Sequence, residues 1–413
     1  MFRKLVTFNE AKQILWQKLQ PKPLGTQKIS LLQAYSRVLA EDMTSKLDIP
    51  PFNRSTVDGY AVKAQNTFGA DENQPVQLKV CGFVGIGEPP QVKVSEGEAA
   101  EIVTGAPIPE GADAVVMVEE TQKEKDTLLV FRSVTPNENV MKKGSDIKQG
   151  ATVLGAGVVL GSREIGALAA LGNAKVRVFK VPTVAVLSTG GEVTEPGKPL
   201  PPAKIYDINA YSLCTAVREC GADAVYAGVV PDEKMPLRRG LKKALLLADM
   251  VLTSGGVSVG PKDLVPSMVD SLGEPGVFLS GVAIKPGKPV TVALIGDKPV
   301  FSFPGHPTSA LLVFHLLARP ILQVMCGRLP GDVPSVRAVA WRRMFAAKGR
   351  RTFVTVSLVS DGVKGWVAKP VESGGSGAIT TLTKADGFLE IPDNQQFIDA
   401  DEEVRVWLFK ERT

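Results

Sequence analysis

The sequence is poor in the side chains on which most zinc and redox enzymes rely. Its 413 residues hold two histidines, His306 and His315, and four cysteines, Cys81, Cys214, Cys220 and Cys326. No two cysteines form a CxxC pair and their spacing makes no disulfide framework, so idle thiols in a reducing compartment are expected. A His/Cys zinc site is thereby disfavoured, and a metal would have to sit on carboxylates, the chemistry of Mg²⁺. No basic run interleaved with aromatics occurs. The 48 Lys and Arg against 43 Asp and Glu leave +5 spread along the chain, which suits a small anionic ligand better than nucleic acid. Long apolar runs are missing as well. Residues 310–318, the greasiest stretch, are broken by His315 and too short to span a bilayer. The opening MFRKLVTFNEAKQILWQKL lacks the apolar core of a signal peptide. A cytoplasmic protein without a membrane or nucleic-acid partner is expected.

What the chain has in quantity is length, glycine and proline. With 44% hydrophobic residues over 413 positions it can fill three or four domain cores, and 40 Gly and 30 Pro point to turns and β-rich parts. Thr7-Phe-Asn-Glu10 is a capping box that opens an amphipathic helix, and Ser30-Leu-Leu-Gln33 reads as a second. From residue 48 to about 145 the texture is short β runs separated by Gly, Pro and Asp. Residues 147–171 are turn-rich and end in a short helix of small residues.

Beyond residue 178 strands, glycine-rich loops and helices alternate, the pattern of a parallel sheet with crossover helices. Helices are expected over 208–220, 234–247 and 308–324, and strands over 181–187, 224–230, 250–253 and 299–303. Past residue 328 the alternation stops, and short strands over 353–359, 366–370, 388–391 and 404–408 mark a small β domain.

Three loops in the α/β region follow strands and so open onto one edge: Ser188-Thr-Gly-Gly-Glu192, Thr253-Ser-Gly255-Gly256-Val-Ser258-Val-Gly260, and Phe303-Pro304-Gly-His306-Pro307. Ligands of parallel α/β sheets bind there, and paired glycines let backbone N–H groups approach an anion. The alternative for any one loop is a tight turn; three on one edge weigh against it. Neither GxGxxG after the first strand nor GxxxxGK[ST] is present, so no dinucleotide or Walker-type site is supported. Glu192, Asp232 and Asp263 each fall just after a strand end and could converge on one Mg²⁺, the alternative being solvated loop acids. In Ile284-Lys285-Pro-Gly-Lys288-Pro289 a stiff turn carries two lysines, suited to a compact oxyanion or else a surface hairpin.

TSGGVSVGPKD, IKPGKP and FPGHPTSA together resemble the molybdopterin-binding domain of the molybdenum insertases, the molybdopterin molybdenumtransferase family that includes MoeA and the C-terminal part of gephyrin. PPFNRSTVDGYAV, EIVTGAPIPEG, AVVMVEET, GSDIKQG, IYDIN and GGSGAITTLTKADGFLEIP are similar to the family's other motifs and occur in its order, covering nearly the whole chain.

The resemblance implies a multidomain α/β and β fold. A molybdopterin-binding three-layer α/β domain with a parallel-type sheet (178–327) would sit beside a β-rich domain (46–145). An elongated, discontinuous helical/β domain (1–45 and 146–177) and a small C-terminal β-barrel-like domain (328–413) would complete it. It implies a homodimer that takes adenylylated molybdopterin and molybdate, hydrolyses the adenylate with a divalent cation, and releases cofactor and AMP. Molybdopterin adenylyltransferase and molybdenum-enzyme apoproteins are the implied partners.

By motif, Asp232 and Asp263 would be metal-linked acids with Glu192 beside them. Ser258, Lys285 and Lys288 would bind molybdate or phosphate, with Arg350 or Arg351 and with Ser376. Gly255, Gly256, Pro304 and Pro307 are further expected substrate contacts, and Asp58, Thr104 and Asp146 would line the cleft from the partner subunit. The chain departs from the pattern at Met141 and Thr355 (both usually Arg), Ser145 (Glu), His306 (Asn), and Pro261 and Thr352 (both acids). A tungstate-handling paralogue, a non-catalytic molybdopterin carrier, and a protein sharing only the α/β domain with adenylyl-transferring and CinA-like proteins are the competing readings. Retained acids argue against the carrier, and the long N-terminal motifs against the last.

Overall fold

The computed structural model describes residues 5–257, 264–329, 334–371 and 379–409. The chain divides into two compact units, one of Met1–Ala40, Gly157–Gly161 and Lys175–Thr413, the other of Glu41–Ala156 and Ser162–Ala174.

In the first unit, helix α1 (Phe8–Leu19) starts at the expected capping box. The Glu10 N–H donates to Thr7 Oγ1 at 3.3 Å and the Thr7 N–H to Glu10 Oε2 at 2.8 Å. Phe8, Ala11 and Leu15 bury one face. The second expected box does not cap a helix: Leu31–Ala34 make one 3₁₀ turn, and the Ser30 hydroxyl donates to Gln33 Oε1 at 2.9 Å instead of accepting a backbone N–H. Strand Thr26–Ser30 pairs antiparallel with Lys175–Phe179, tying the start of the chain to the entrance of the α/β domain.

That domain is a six-stranded sheet of β1 (Thr183–Thr189), β2 (Asp223–Val230), β3 (Met250–Ser254), β4 (Pro275–Ser280), β5 (Thr291–Ile295) and β6 (Lys298–Phe303), ordered β2-β1-β3-β6-β5-β4. The first four run parallel, β5 runs opposite to them, and β4, antiparallel to β5, returns to their direction. Side chains alternate between two cores, as strands buried on both faces require. Val184, Val186, Met250, Leu252, Phe301 and Phe303 pack with helix α2 (Asn209–Glu219). Ala185, Leu187, Val251 and Val300 pack with α3 (Lys234–Leu247) and α4 (Val265–Asp270). The result is three layers.

The helix expected over 308–324 is interrupted. It runs as α5 (Pro307–Val313), a π-helical turn over Phe314–Ala318, and α6 (Arg319–Met325). Pro320 has no N–H to give the preceding turn, and the wider π turn absorbs that loss. The whole run, Pro307–Met325, has 19 residues and is apolar enough by length and composition to cross a membrane, longer than the 310–318 stretch read from sequence. Its most apolar window is 67% buried inside the protein, and it serves as a core helix.

Within it His315 is buried, its Nδ1 3.3 Å from Arg319 Nη1 and its ring against Phe314 and Phe409. Burial first, and Arg319 second, push this imidazole down to about 3. The unfolded chain therefore takes up a proton below about pH 6.5 that the folded chain refuses. Stability held above that pH falls as acid is added, by about 1.4 kcal/mol per unit until about pH 3. Urea denaturation between pH 4 and 7 should show this extra acid loss in the wild type and not in His315→Phe.

Five strands, β7 (Ser335–Ala340), β8 (Arg351–Asp361), β9 (Gly365–Pro370), β10 (Gly387–Ile391) and β11 (Glu403–Leu408), form the barrel of the C-terminal domain. Pairings β8–β9, β9–β7, β7–β11, β11–β10 and β10–β8 close the circle, so the barrel-like expectation is met. Ala340, Val356, Ala368, Leu389, Ile391 and Val406 fill it.

The second unit is built on another six-stranded sheet, ordered Ala114–Met117, Gly59–Val62, Glu98–Ile102, Val76–Val84, Thr127–Val130, Thr121–Glu124. Alternation again makes two cores, Tyr60, Val62 and Val116 in one and Ala61, Ile102 and Val115 in the other. Helix Ser162–Ala170 is the short helix of small residues.

Candidate functional site

Four parallel neighbours, β2-β1-β3-β6, put their carboxyl ends on one edge, and all the expected loops leave from there. The loops touch. The Gly255 N–H donates to Phe303 O at 3.2 Å, and Gly255 has φ +97° with room for no side chain, since a Cβ would stand 2.2 Å from Thr189 O. Asn209, at the start of α2, staples them: its Nδ2 donates to Ser254 Oγ and to Gly305 O, both at 2.7 Å. Asp207 Oδ1 accepts from the Ala210 N–H at 3.0 Å and so caps that helix. Between the loops lies a cleft of about 490 Å³ lined by Thr189, Glu192, Asp207, Asn209, Gly255 and Pro307.

A second cavity of about 600 Å³ adjoins it, His306 lining both. Lys285, Lys288, Pro304 and Arg350 line it together, with Ser309 and Thr352. The lysine turn is no free hairpin. Gly287 is buried at φ +104°, and a Cβ there would stand 2.2 Å from Val313 Cγ2, so the turn is pressed against α5. Ile284–Lys285 also pair in parallel with Arg351 and Thr352 at the start of β8.

Arg350 and Arg351 part company. Arg350 faces the cavity, whereas Arg351 reaches Asn9 Oδ1 at 3.0 Å, Glu390 Oε1 at 3.0 Å and Asp393 Oδ1 at 3.1 Å. Its guanidinium also lies over the Phe8 ring, and its hydrogen bond holds the Asp393 carboxyl below the usual carboxylate range. Arg351 ties α1 to the barrel, and Arg350 is the arginine of the pair that lines the cavity.

Asp232 follows β2, and its carboxylate lies by the second glycine loop: a Cβ on Gly256 would stand 3.4 Å from Asp232 Oδ1 and 3.0 Å from Thr189 Oγ1. Glu192 is exposed and lines the first cleft. Among the described residues no three His, Cys, Asp or Glu side chains gather as a metal site, and Asp263, Ser258, Pro261 and Ser376 lie outside those residues. The carboxylate and hydroxyl groups at this edge nonetheless supply oxygen donors. Asp232 brings a carboxylate to this edge, and the buried hydroxyls of Ser188 and Thr189 have no hydrogen-bond partner among the described residues. Such donors fit a hard divalent ion.

Asp58, Thr104 and Asp146 belong to the second unit and are exposed. Thr104 donates to Asp58 Oδ1 through its N–H at 2.6 Å and its hydroxyl at 2.9 Å, which holds the Asp58 carboxyl below its ordinary value. Of the departures, Thr352, Thr355 and His306 line the lysine cavity, and Met141 Sδ accepts from Arg54 Nη2 at 3.3 Å. Nothing in the structure explains Ser145. Cys220 and Cys326, buried, have thiols pushed up to about 11 and about 12, as idle thiols should.

Asn209, Ser309 and Thr352 were not singled out as site residues from sequence. Each nonetheless lay in or beside a motif: Asn209 ends IYDIN, Ser309 lies in FPGHPTSA, and Thr352 is one of the departures from the family pattern.

Comparison with known proteins covers nearly all of the chain. Residues 6–172 match the MoeA N-terminal region (domain I and II), 185–324 the Probable molybdopterin binding domain, and 337–409 the MoeA C-terminal region (domain IV). Molybdopterin molybdenumtransferase 2 of Mycobacterium tuberculosis is 34% identical over 92% of this chain and 94% of its own. The molybdopterin molybdenumtransferase of Bacillus subtilis is 32% identical over 94% and 90%. A crystal structure of the molybdopterin biosynthesis MoeA protein from Pyrococcus horikosii superposes with a TM-score of 0.85 at 41% identity, over 99% of this chain and 100% of that one.

Proposed function

The chain belongs to the MoeA family of molybdopterin molybdenumtransferases, transferases of molybdenum cofactor biosynthesis, and on that premise we propose the reaction it carries out. It inserts molybdate into adenylylated molybdopterin, and hydrolysis of the adenylate releases molybdenum cofactor and AMP. The observation that supports this most is the pair of adjoining cavities, one walled by strand-end glycine loops and the other by Lys285, Lys288 and Arg350.

The division of labour follows from the donors. A tetrahedral dianion needs several fixed cations, and Lys285, Lys288 and Arg350 supply them on elements locked by strand pairing and by the Gly287 contact. Ser258 and Ser376 are assigned to the same anion. The glycine loops offer backbone N–H groups to the pterin phosphate and adenylate, with Pro304 and Pro307 stiffening the third loop. Asp232, Asp263 and Glu192 would hold Mg²⁺, which when bound neutralises phosphate charge and polarises the attacking water. Asn209 keeps two of the loops in register. Incubation with adenylylated molybdopterin, molybdate and Mg²⁺ should release AMP as cofactor appears. Pterin binding without AMP release would make the chain a carrier and overturn the reading.

The same reading makes the protein a cytoplasmic homodimer, with Asp58, Thr104 and Asp146 presented to the second subunit. Its substrate must come from an adenylyltransferase and its product go to molybdenum-enzyme apoproteins. Light scattering at micromolar concentration is expected to give twice the 44.0 kDa chain mass, and the monomer mass would contradict it.

A further inference from the structure

We infer that Thr352 is a positioning residue for oxyanion binding, acting by fixing the turn that presents Arg350; the inference rests on the oxyanion reading of the lysine cavity. Thr352 is 5% exposed, and its hydroxyl both donates and accepts within a single turn. It accepts from the Ala347 N–H at 2.8 Å and donates to Arg350 O at 3.2 Å. The Arg350 N–H in turn donates to Ala347 O at 3.1 Å. One hydroxyl thus clasps both ends of the loop that carries the cavity's arginine.

The same residue couples that loop to the lysines. Thr352 stands opposite Lys285 in the short parallel pairing, and the Arg351 N–H donates to Ala283 O at 3.0 Å. Arg351, anchored to Asn9, Glu390 and Asp393, holds the strand from its other side. Arg350 is left as the arginine of this stretch that lines the cavity while its backbone is held by a neighbour's hydroxyl. Losing that hydroxyl frees the loop, and the arginine must then be ordered at each binding event. A lysine, by contrast, sits on a turn already locked by packing.

The effect should appear in anion affinity and not in turnover once the anion is bound. Thr352→Val keeps the side-chain volume and removes the hydroxyl. It is expected to raise the half-saturating molybdate concentration about three- to tenfold, the loss of one net hydrogen bond, with kcat at saturating molybdate kept. Thr352→Ser should restore the wild-type value. In an Arg350→Ala background Thr352→Val should add nothing, because a residue that acts through Arg350 has no effect without it. Should the valine variant not fold, Thr352→Ala takes its place in each comparison.

The inference is overturned if the half-saturating concentration stays unchanged while Lys288→Ala raises it. It is also overturned if serine is as impaired as valine, or if the valine effect persists in full without Arg350. An unchanged value for Lys288→Ala as well would sink the oxyanion reading itself.

Discussion

Replacing Lys288 by alanine is expected to raise the molybdate concentration needed for half-maximal cofactor formation about tenfold or more. The side chain is half-buried in the cavity it shares with Lys285 and Arg350, on a turn fixed by the Gly287 contact with α5. A charge-assisted hydrogen bond to an oxyanion in such a place contributes roughly 1.5–3 kcal/mol, and about 1.4 kcal/mol is tenfold in affinity. Higher molybdate should partly rescue the variant, because only binding is weakened. A molybdate titration of cofactor formation checks this, and an unchanged midpoint would mean that the turn contributes packing alone.

Asp232→Ala should behave in the opposite way. Its carboxylate lies by the Gly256 turn at the strand-end edge, away from the lysine cavity's lining. Removing it takes away an oxygen donor for the divalent ion and leaves every core side chain in place. AMP release is expected to fall about 100-fold or more, the usual scale for losing a group that stabilises transition-state charge, and added molybdate should not restore it. The thermal midpoint should stay near that of the wild type, since the residue is exposed. AMP release at the wild-type rate would remove Asp232 from the mechanism.

Much of this architecture was legible because it depends on local pattern. The alternation of apolar strand, glycine loop and helix after residue 178 marks a parallel sheet, and adjacent parallel strands leave their loops on one edge. The box at Thr7 was legible for the same local reason.

What escaped depends on contacts between remote residues. Arg350 and Arg351 are neighbours in a pattern that does not say which faces the cavity; that is decided by Asn9, Glu390 and Asp393, far away in sequence. Asn209 joins loops 45 and 96 residues distant, which no window around IYDIN reveals. Ser30 and Gln33 have the spacing of a capping box, but their side chains bond each other over a single 3₁₀ turn. The lysine turn could be read as a surface hairpin until Val313 was found pressed on Gly287.

The central claim is that the cavity of Lys285, Lys288 and Arg350 holds the oxyanion beside the cleft that takes the pterin. Its most direct test is an anomalous difference map at the molybdenum edge, from crystals of the protein soaked in molybdate. The account predicts the strongest molybdenum peak within hydrogen-bonding distance of Lys288 Nζ and the Arg350 guanidinium. A dominant peak elsewhere, with none at the lysine turn, would contradict it.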